Sequence, residues 1–348
     1  MTKVLDLRTD ANTEPPIEMK RAMFNASMDS NGDDSITPKL EETVAELMGK
    51  ESALFIPTGV MADLIPIMSY CGRGDGVIVG ENCHVVASEC GGASALAGAM
   101  IHSLPLDTHG MMNPKDLEMA IQPDSPPHRL PPTKLICLEN TQLRCGGTVL
   151  TAEDQRQIAE IANQYGVPVW CDGARFANAV IHLGISFAEL AKDLDAISFG
   201  FMKSLGVYTG SVLCGSIDFI ERARRYRTML GGNLPMSGFL AAGCLWALEH
   251  GLERIEEDHI NARNLGEAIA NMKGLNIDLN TVQTNILLFQ TDCIPHEEYV
   301  ARLEKHGVRC SVLSGWRGPV GIRMVTDASI DRQDIESVVT AMHRALKN

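Results

Sequence analysis

The sequence predicts an α/β fold: a mostly parallel sheet with helices on both faces, followed by a smaller α+β lobe. Three observations carry that reading. Short apolar runs alternate with helix-length segments between Ala53 and Lys203, the pattern of a doubly covered parallel sheet. Polar residues collect where those runs end, as they do along the carboxyl edge of an open α/β sheet. From Phe219 onward the pattern turns helical, with only short strands near the end of the chain.

In order, residues 1–16 read as a polar arm closing at Pro15-Pro16, residues 17–250 as a large domain and 251–348 as a small one. Ile17 to Ala26 has helical spacing, and residues 30–35 form a loop of turn formers. Leu40 to Met48 is an amphipathic helix stopped by Gly49. Ala53 to Ile56 is a strand that breaks at Pro57-Thr58-Gly59 into a helix. Strands follow at Gly76–Val79, Ile101–Leu104 and Lys134–Leu138, then one ending at Asp172 and one ending at Lys203. Between them lie helices at Ser88–Leu96, Pro114–Ile121, Ala152–Tyr165 and Phe187–Lys192, and a proline-rich loop at 122–132. Helices cover Phe219–Leu230, Phe239–Glu253 and a stretch through Met272. Short strands at Asn285–Phe289, Gly307–Val312 and Gly321–Met324 precede a closing helix from Arg332. There is no internal repeat.

With 348 residues and 45% apolar content, the chain can bury a large core. A net charge of −14 argues against nucleic acid or an anionic membrane as main partner. No apolar run approaches the roughly 18 residues of a membrane span, and the charged N-terminus does not read as a signal peptide. A cytoplasmic location is expected. Ten cysteines without a C-x-x-C pair read as reduced thiols, and ten histidines without a clustered ligand set give no metal site. P-loop, G-x-G-x-x-G and G-x-S-x-G patterns are absent.

The chemistry is concentrated in two stretches. Lys203 closes an apolar run and is followed by small residues; burial there favours the neutral amine, the form that attacks an aldehyde to make a Schiff base. The same lysine could also snorkel to solvent. Upstream, Val167-Pro-Val-Trp-Cys-Asp172-Gly-Ala-Arg175 is a short strand ending on an acid, followed by a Gly-Ala turn and an arginine. A carboxylate there can keep a pyridine nitrogen protonated while Arg175 holds the ring oxygen, a pairing suited to pyridoxal phosphate; Asp172 could also cap the helix near Phe176. The turn at Thr58, Gly59 and Val60, opening a helix, can take a phosphate.

These motifs, with Asp6-Leu-Arg-Thr-Asp10, Gly80-Glu-Asn-Cys-His84, Leu138-Glu-Asn-Thr-Gln-Leu-Arg-Cys-Gly-Gly147, Met229-Leu-Gly-Gly232 and Arg323-Met-Val-Thr326, resemble the L-threonine aldolase (β-eliminating lyase) family over most of the chain. The resemblance implies the aspartate-aminotransferase-like fold type I, with a seven-stranded sheet in the large domain. It implies pyridoxal 5′-phosphate on Lys203, Asp172 at the pyridinium nitrogen, Arg175 at the phenolate oxygen and His84 against the ring face. Thr58, Gly59 and Val60 would hold the phosphate, and Arg323 with Thr9 the substrate carboxylate. Asn31 and Gln142 fall at substrate-facing positions. The implied assembly is a homo-oligomer, a dimer or tetramer with shared active sites.

Four positions depart from the family pattern. Asn31 stands where a tyrosine is usual, Gln142-Leu143 where His-Asn is usual, Met202 where a serine precedes the lysine, and the region around Pro235 lacks the usual basic residue. The implied activity is cleavage of a β-hydroxy-α-amino acid to glycine and an aldehyde. Because Gln142 cannot act as a base, racemisation or β-elimination on the same scaffold, and a cofactor-binding protein without turnover, stand as alternatives.

Overall fold

The computed structural model describes residues 3–26, 33–126, 129–292, 294–313 and 321–347. Asn31 lies outside them. The strands are β1 (Leu5–Asp6), β2 (Ser52–Ile56), β3 (Gly76–Gly80), β4 (Met100–Leu104), β5 (Thr133–Glu139), β6 (Val169–Gly173), β7 (Ala196–Gly200), β8 (Ser211–Gly215), β9 (Leu275–Asn276), β10 (Ile286–Thr291), β11 (Val308–Arg309), β12 (Ser311–Leu313) and β13 (Gly321–Val325). The helices are α1 (Ile17–Phe24), α2 (Ile36–Met48), α3 (Gly59–Tyr70), α4 (His84–Ala87), α5 (Pro114–Ala120), α6 (Ala152–Gln164), α7 (Phe176–Leu183), α8 (Phe187–Ala191), α9 (Ile217–Met229), α10 (Gly238–His250), α11 (Ile255–Ala270), α12 (His296–Lys305) and α13 (Arg332–Lys347).

Seven strands form the main sheet in the order β2-β8-β7-β6-β5-β3-β4. The run β7-β6-β5-β3-β4 is parallel, whereas β8 is antiparallel to both β7 and β2. Successive side chains leave a strand on opposite faces, and both faces are covered. Phe55, Ile136, Cys171, Ile197 and Phe199 enter one core, while Leu54, Ile56, Leu135, Trp170 and Ala196 enter the other. Strands buried on both faces read as unbroken apolar runs, which is why the sequence marks them clearly. Strand β8 was not anticipated: its sequence, Ser-Val-Leu-Cys-Gly, follows the Lys203 segment with no helix between them.

Local chemistry sets the boundaries. Helix α2 stops at Gly49, which takes φ +63, and the amides of Gly49 and Lys50 return to Glu46 and Ala45. Helix α6 opens with a reciprocal capping box between Thr151 and Asp154. The helix expected at Ser88–Leu96 does not form as such: α4 ends before it at Ala87, and a single wide turn at Ala93–Ala97 takes its second half. Between the two, Cys90 (φ +54) and Gly91 (φ +73) hold left-handed conformations that a continuous helix excludes.

A separate apolar core, built by α11, α13, α12, β10, β11 and β13, fills the C-terminal unit. Ile255 packs with the large core and Ala262 with the small one, so α11 bridges them. Helix α12 was missed by the sequence reading. The N-terminal arm does not lie free: β1 pairs in parallel with β11, and Leu5 and Leu7 are buried in the small core.

Candidate active site

The sheet order brings chemically active residues to one edge. β4 lies outside β3 while β5 returns to its inner side, and a reversal of that kind opens a crevice beyond the strand carboxyl ends. In register, Glu139 at the end of β5 stands beside Asp172 on β6, and Asp172 beside Ser198 on β7. Lys203 follows β7 in a tight turn, its carbonyl accepting the Gly206 amide at 2.8 Å. His84 follows β3, its backbone N–H donating to Glu139 Oε2 at 2.6 Å.

Electrostatics single out this edge. Burial lowers the pKa of the Lys203 ammonium, and the neighbouring Arg175 charge pushes the same way; Asp10 and Asp172 partly oppose them. Asp172 is 4% exposed. Burial raises its pKa, with His84 the main opposing charge. Its Oδ1 accepts the Ala174 amide at 2.9 Å. Asp172 is not the cap of α7, whose N-cap position is taken by Arg175. Burial and Asp172 together push Glu139 up to about 7.

Arg175 is buried and held in a two-pronged pair by Asp10, with Nε to Oδ2 at 2.7 Å and Nη2 to Oδ1 at 2.6 Å. Asp10 is fully buried. Burial opposes its ionisation, but the Arg175 guanidinium outweighs that and holds the carboxyl down to about 2. Asn285 donates to Asp10 Oδ2 at 3.1 Å, Asn178 donates to Asn285 at 3.2 Å, and Ser204 donates to Asn178 at 2.8 Å. Arm, large unit and small unit therefore meet in one buried polar chain that ends beside Lys203.

His259 joins this chain, its Nε2 lying 3.1 Å from Asn178 Nδ2. Burial, with some help from His182, depresses its pKa to about 4. A base depressed in the folded state binds fewer protons there than in the unfolded chain. Its contribution is therefore complete above pH 6.5 and lost as pH falls toward 4. Wild type should lose about 2 kcal/mol from this group by pH 5. Urea unfolding of His259→Gln should show that part of the acid sensitivity removed.

Arg323 projects from β13, donating through Nη2 to the Arg8 carbonyl at 2.8 Å. Its Nε is buried with no hydrogen-bond partner among the described residues. Burial and the nearby Arg175 lower its pKa to about 10. Thr9 sits next to Arg8 and accepts the Ala11 amide at 3.1 Å, which leaves its hydroxyl hydrogen available. Thr58 caps α3 by accepting from the Met61 amide at 3.4 Å. The first amides of α3, Gly59 and Val60, have no place in the helix ladder, and space beside Gly59 is open.

The Gln142 side chain turns into the protein. It is fully buried, with Oε1 accepting from the Arg144 amide at 2.8 Å and Nε2 donating to Cys83 Sγ at 3.4 Å. A cavity of about 610 Å³ between β4 and residues 81–87 shares Arg144 with this region, but Thr58, Asp172, Arg175, Lys203 and Arg323 do not line it. Sequence reasoning gave no role to Asp10, Asn285, Glu89 or Asp63. Asp10 stood inside a quoted motif, but its partner lies 165 residues away.

These residues fit pyridoxal phosphate on three independent grounds. A half-buried amine just past β7 and a buried carboxylate near the end of the adjacent β6 face one edge, open amides crown a helix, and a guanidinium nitrogen without a partner among the described residues lies nearby. The chain matches the family described as Beta-eliminating lyase over residues 6–292. It is 36% identical to low-specificity L-threonine aldolase 1 of Arabidopsis thaliana, over 98% of this chain and 96% of that one. It is 28% identical to an alanine racemase of Cochliobolus carbonum, over 98% and 87% of the two chains. The structure superposes on the threonine aldolase of Leishmania major with a TM-score of 0.83 at 19% identity, covering 98% of this chain and 99% of that one. That likeness shows a shared α/β fold of the type used by pyridoxal phosphate enzymes. The chain belongs to the beta-eliminating lyase family, and its cofactor is pyridoxal 5′-phosphate.

Proposed function

We propose that this protein cleaves the Cα–Cβ bond of a β-hydroxy-α-amino acid, releasing glycine and an aldehyde. The observation that carries the reading is Lys203, a half-buried amine within electrostatic reach of Asp172 and of Arg323, whose Nε has no partner among the described residues. When bound, pyridoxal phosphate supplies an electron sink that weakens whichever Cα bond stands perpendicular to its ring.

The chain's own residues choose the bond. Lys203 would be the attachment point, and Asp172 would keep the ring nitrogen protonated. Arg175, fixed by Asp10, would hold the ring oxygen, and the Thr58–Val60 turn would take the phosphate. Arg323 grips the substrate carboxylate with two parallel hydrogen bonds, assisted by Thr9, so that Cβ is the substituent left upright. Asn31 and Gln142 complete the substrate surroundings, Gln142 by shaping the loop that carries Arg144. His84 takes the β-hydroxyl proton; the O–H electron pair becomes the second C–O bond of the aldehyde as Cα–Cβ breaks. The large domain (17–250) binds the cofactor and the small domain (251–348) supplies Arg323.

A second reading, racemisation, is favoured by Gln142, which cannot accept a proton near neutral pH, and by the similarity to an alanine racemase. Incubation with L-threonine, L-allo-threonine and L-alanine in deuterated water separates the two. Glycine plus acetaldehyde is the expected result. Cα deuteration with loss of optical purity, and no aldehyde, would replace the aldolase reading with the racemase one.

The working form is a homo-oligomer, a dimer or tetramer with shared active sites. Supporting this, Val60, Tyr208, Met229, Met236 and Phe239 are large apolar side chains left exposed on and near the elements that carry the phosphate turn. Met236→Asp should shift the mass seen by light scattering toward the monomer and weaken cofactor retention; an unchanged mass would count against an interface there. No helix among the described residues is long and apolar enough to cross a membrane. Seven of the nine described cysteines are buried free thiols, which supports a reducing, cytoplasmic setting.

A further inference from the structure

Behind His84 lies a buried acid pair that the proposed reaction does not touch directly. His84 Nδ1 is 2.8 Å from Glu89 Oε1, and the Glu89 side chain is 2% exposed. Asp63, projecting from the second turn of α3, is buried, with a carboxylate oxygen within 4.8 Å of Glu89's. Ser198 Oγ donates to Asp63 Oδ1 at 3.3 Å. The ligand atoms of Asp63, His84 and Glu89 lie within 4.8 Å of one another. Two carboxylates so close and so dry do not both ionise. The hydroxyl of Ser198, the register neighbour of Asp172, anchors the far end of the row.

We propose that Asp63 and Glu89 share one proton and act as positioning residues that hold His84 in its Nδ1–H tautomer, leaving Nε2 as the proton acceptor toward the substrate. This rests on the reading of His84 as the base. The direction of proton sharing follows from burial. Burial raises Asp63 well above the ordinary carboxylate range, with Asp172 and Glu89 adding to it, so Asp63 carries the proton and donates it to Glu89. Glu89 Oε1 accepts from His84 Nδ1. Which ring nitrogen carries a proton is set by the bond the other makes, and a carboxylate behind an imidazole stabilises the imidazolium formed when Nε2 takes a proton.

The groups facing His84 are Glu89 on its own segment, Asp63 from α3, Glu139 from β5 and Asp172 from β6. The hydrogen bond to Glu89 raises the imidazole above its ordinary 6.5 against the effect of burial, and Asp172 and Glu139 push the same way. With Gln142 turned inward, this row supplies the acid–base chemistry at that end of the site.

The test is nitrogen NMR of ¹⁵N-histidine-labelled protein loaded with cofactor, with His84→Gln used to assign the signal. Wild type should show Nδ1 protonated and Nε2 bare at high pH. Glu89→Gln should lower the His84 pKa by at least one unit and move the acid limb of kcat/KM with it, and Glu89→Asp should restore most of the shift. Asp63→Asn should give a smaller change in the same direction. If Glu89→Gln does not fold, Asp63→Asn and Glu89→Asp decide the matter. A His84 titration unmoved in the folded variants, an Nε2–H tautomer in wild type, or stoichiometric capture of a divalent cation at these residues overturns the proposal. Failure of the aldolase reading is seen in the products instead, since the tautomer is read without substrate.

Discussion

Lys203→Ala abolishes the visible absorbance of lysine-bound cofactor and lowers turnover by more than about a thousandfold. The expectation follows from where the amine sits. Burial and the neighbouring Arg175 push Lys203 toward the neutral form at a pH where an exposed lysine is charged. Asp172, Asp10 and Arg175 are arranged around that one amine. Alanine at 203 leaves them in place, and the fold should survive: Lys203 follows β7 in a turn whose hydrogen bonds are backbone to backbone. Circular dichroism should therefore match wild type while absorbance and activity vanish. A variant that keeps the band would mean that another lysine holds the cofactor.

Asp10→Asn destabilises the apoprotein by about 3–5 kcal/mol, the range for leaving one member of a buried ion pair without its partner. Arg175 is buried and its two short bonds run to Asp10; an asparagine can accept but carries no charge. Two further consequences separate this from an ordinary core defect. In wild type the depressed Asp10 contributes stability that is complete above its unfolded value near 4 and lost as pH falls toward 2; the variant should lack that acid dependence. The arm should also loosen, because Asp10 joins the arm to Arg175 and Asn285. Denaturant melts at pH 7 and pH 3 check both points, and equal stabilities of the two proteins at pH 7 would refute the pairing.

Much of the large unit was legible in the sequence because its parallel strands are buried on both faces and therefore appear as uninterrupted apolar runs. Gly49 and Thr58 marked helix ends through local chemistry that needs no tertiary partner. β8 escaped because no helix separates it from β7, so it carried none of the alternation that marked the other strands. The split between α4 and the turn at Ala93 was hidden for another reason. Cys90 takes a positive φ, a conformation its residue type does not announce.

The site divides the same way. Lys203 and Asp172 were legible because a charged residue ending an apolar run contradicts its surroundings, and Arg175 because it follows Asp172 so closely. Asp10, Asn285, Asp63 and Glu89 were not, since each matters through a partner distant in sequence or through burial that only the folded chain confers. Gln142 was noticed as a departure in residue type, yet its inward turn, set by Arg144 and Cys83, is a property of the loop and not of the residue.

The most direct measurement is borohydride reduction of the protein reconstituted with pyridoxal phosphate, followed by peptide mass mapping. The expected result is one reduced phosphopyridoxyl group, on the peptide containing Lys203, with visible absorbance lost on reduction. Label on any other lysine, or a protein that stays colourless and unlabelled with excess cofactor, would contradict the site described here.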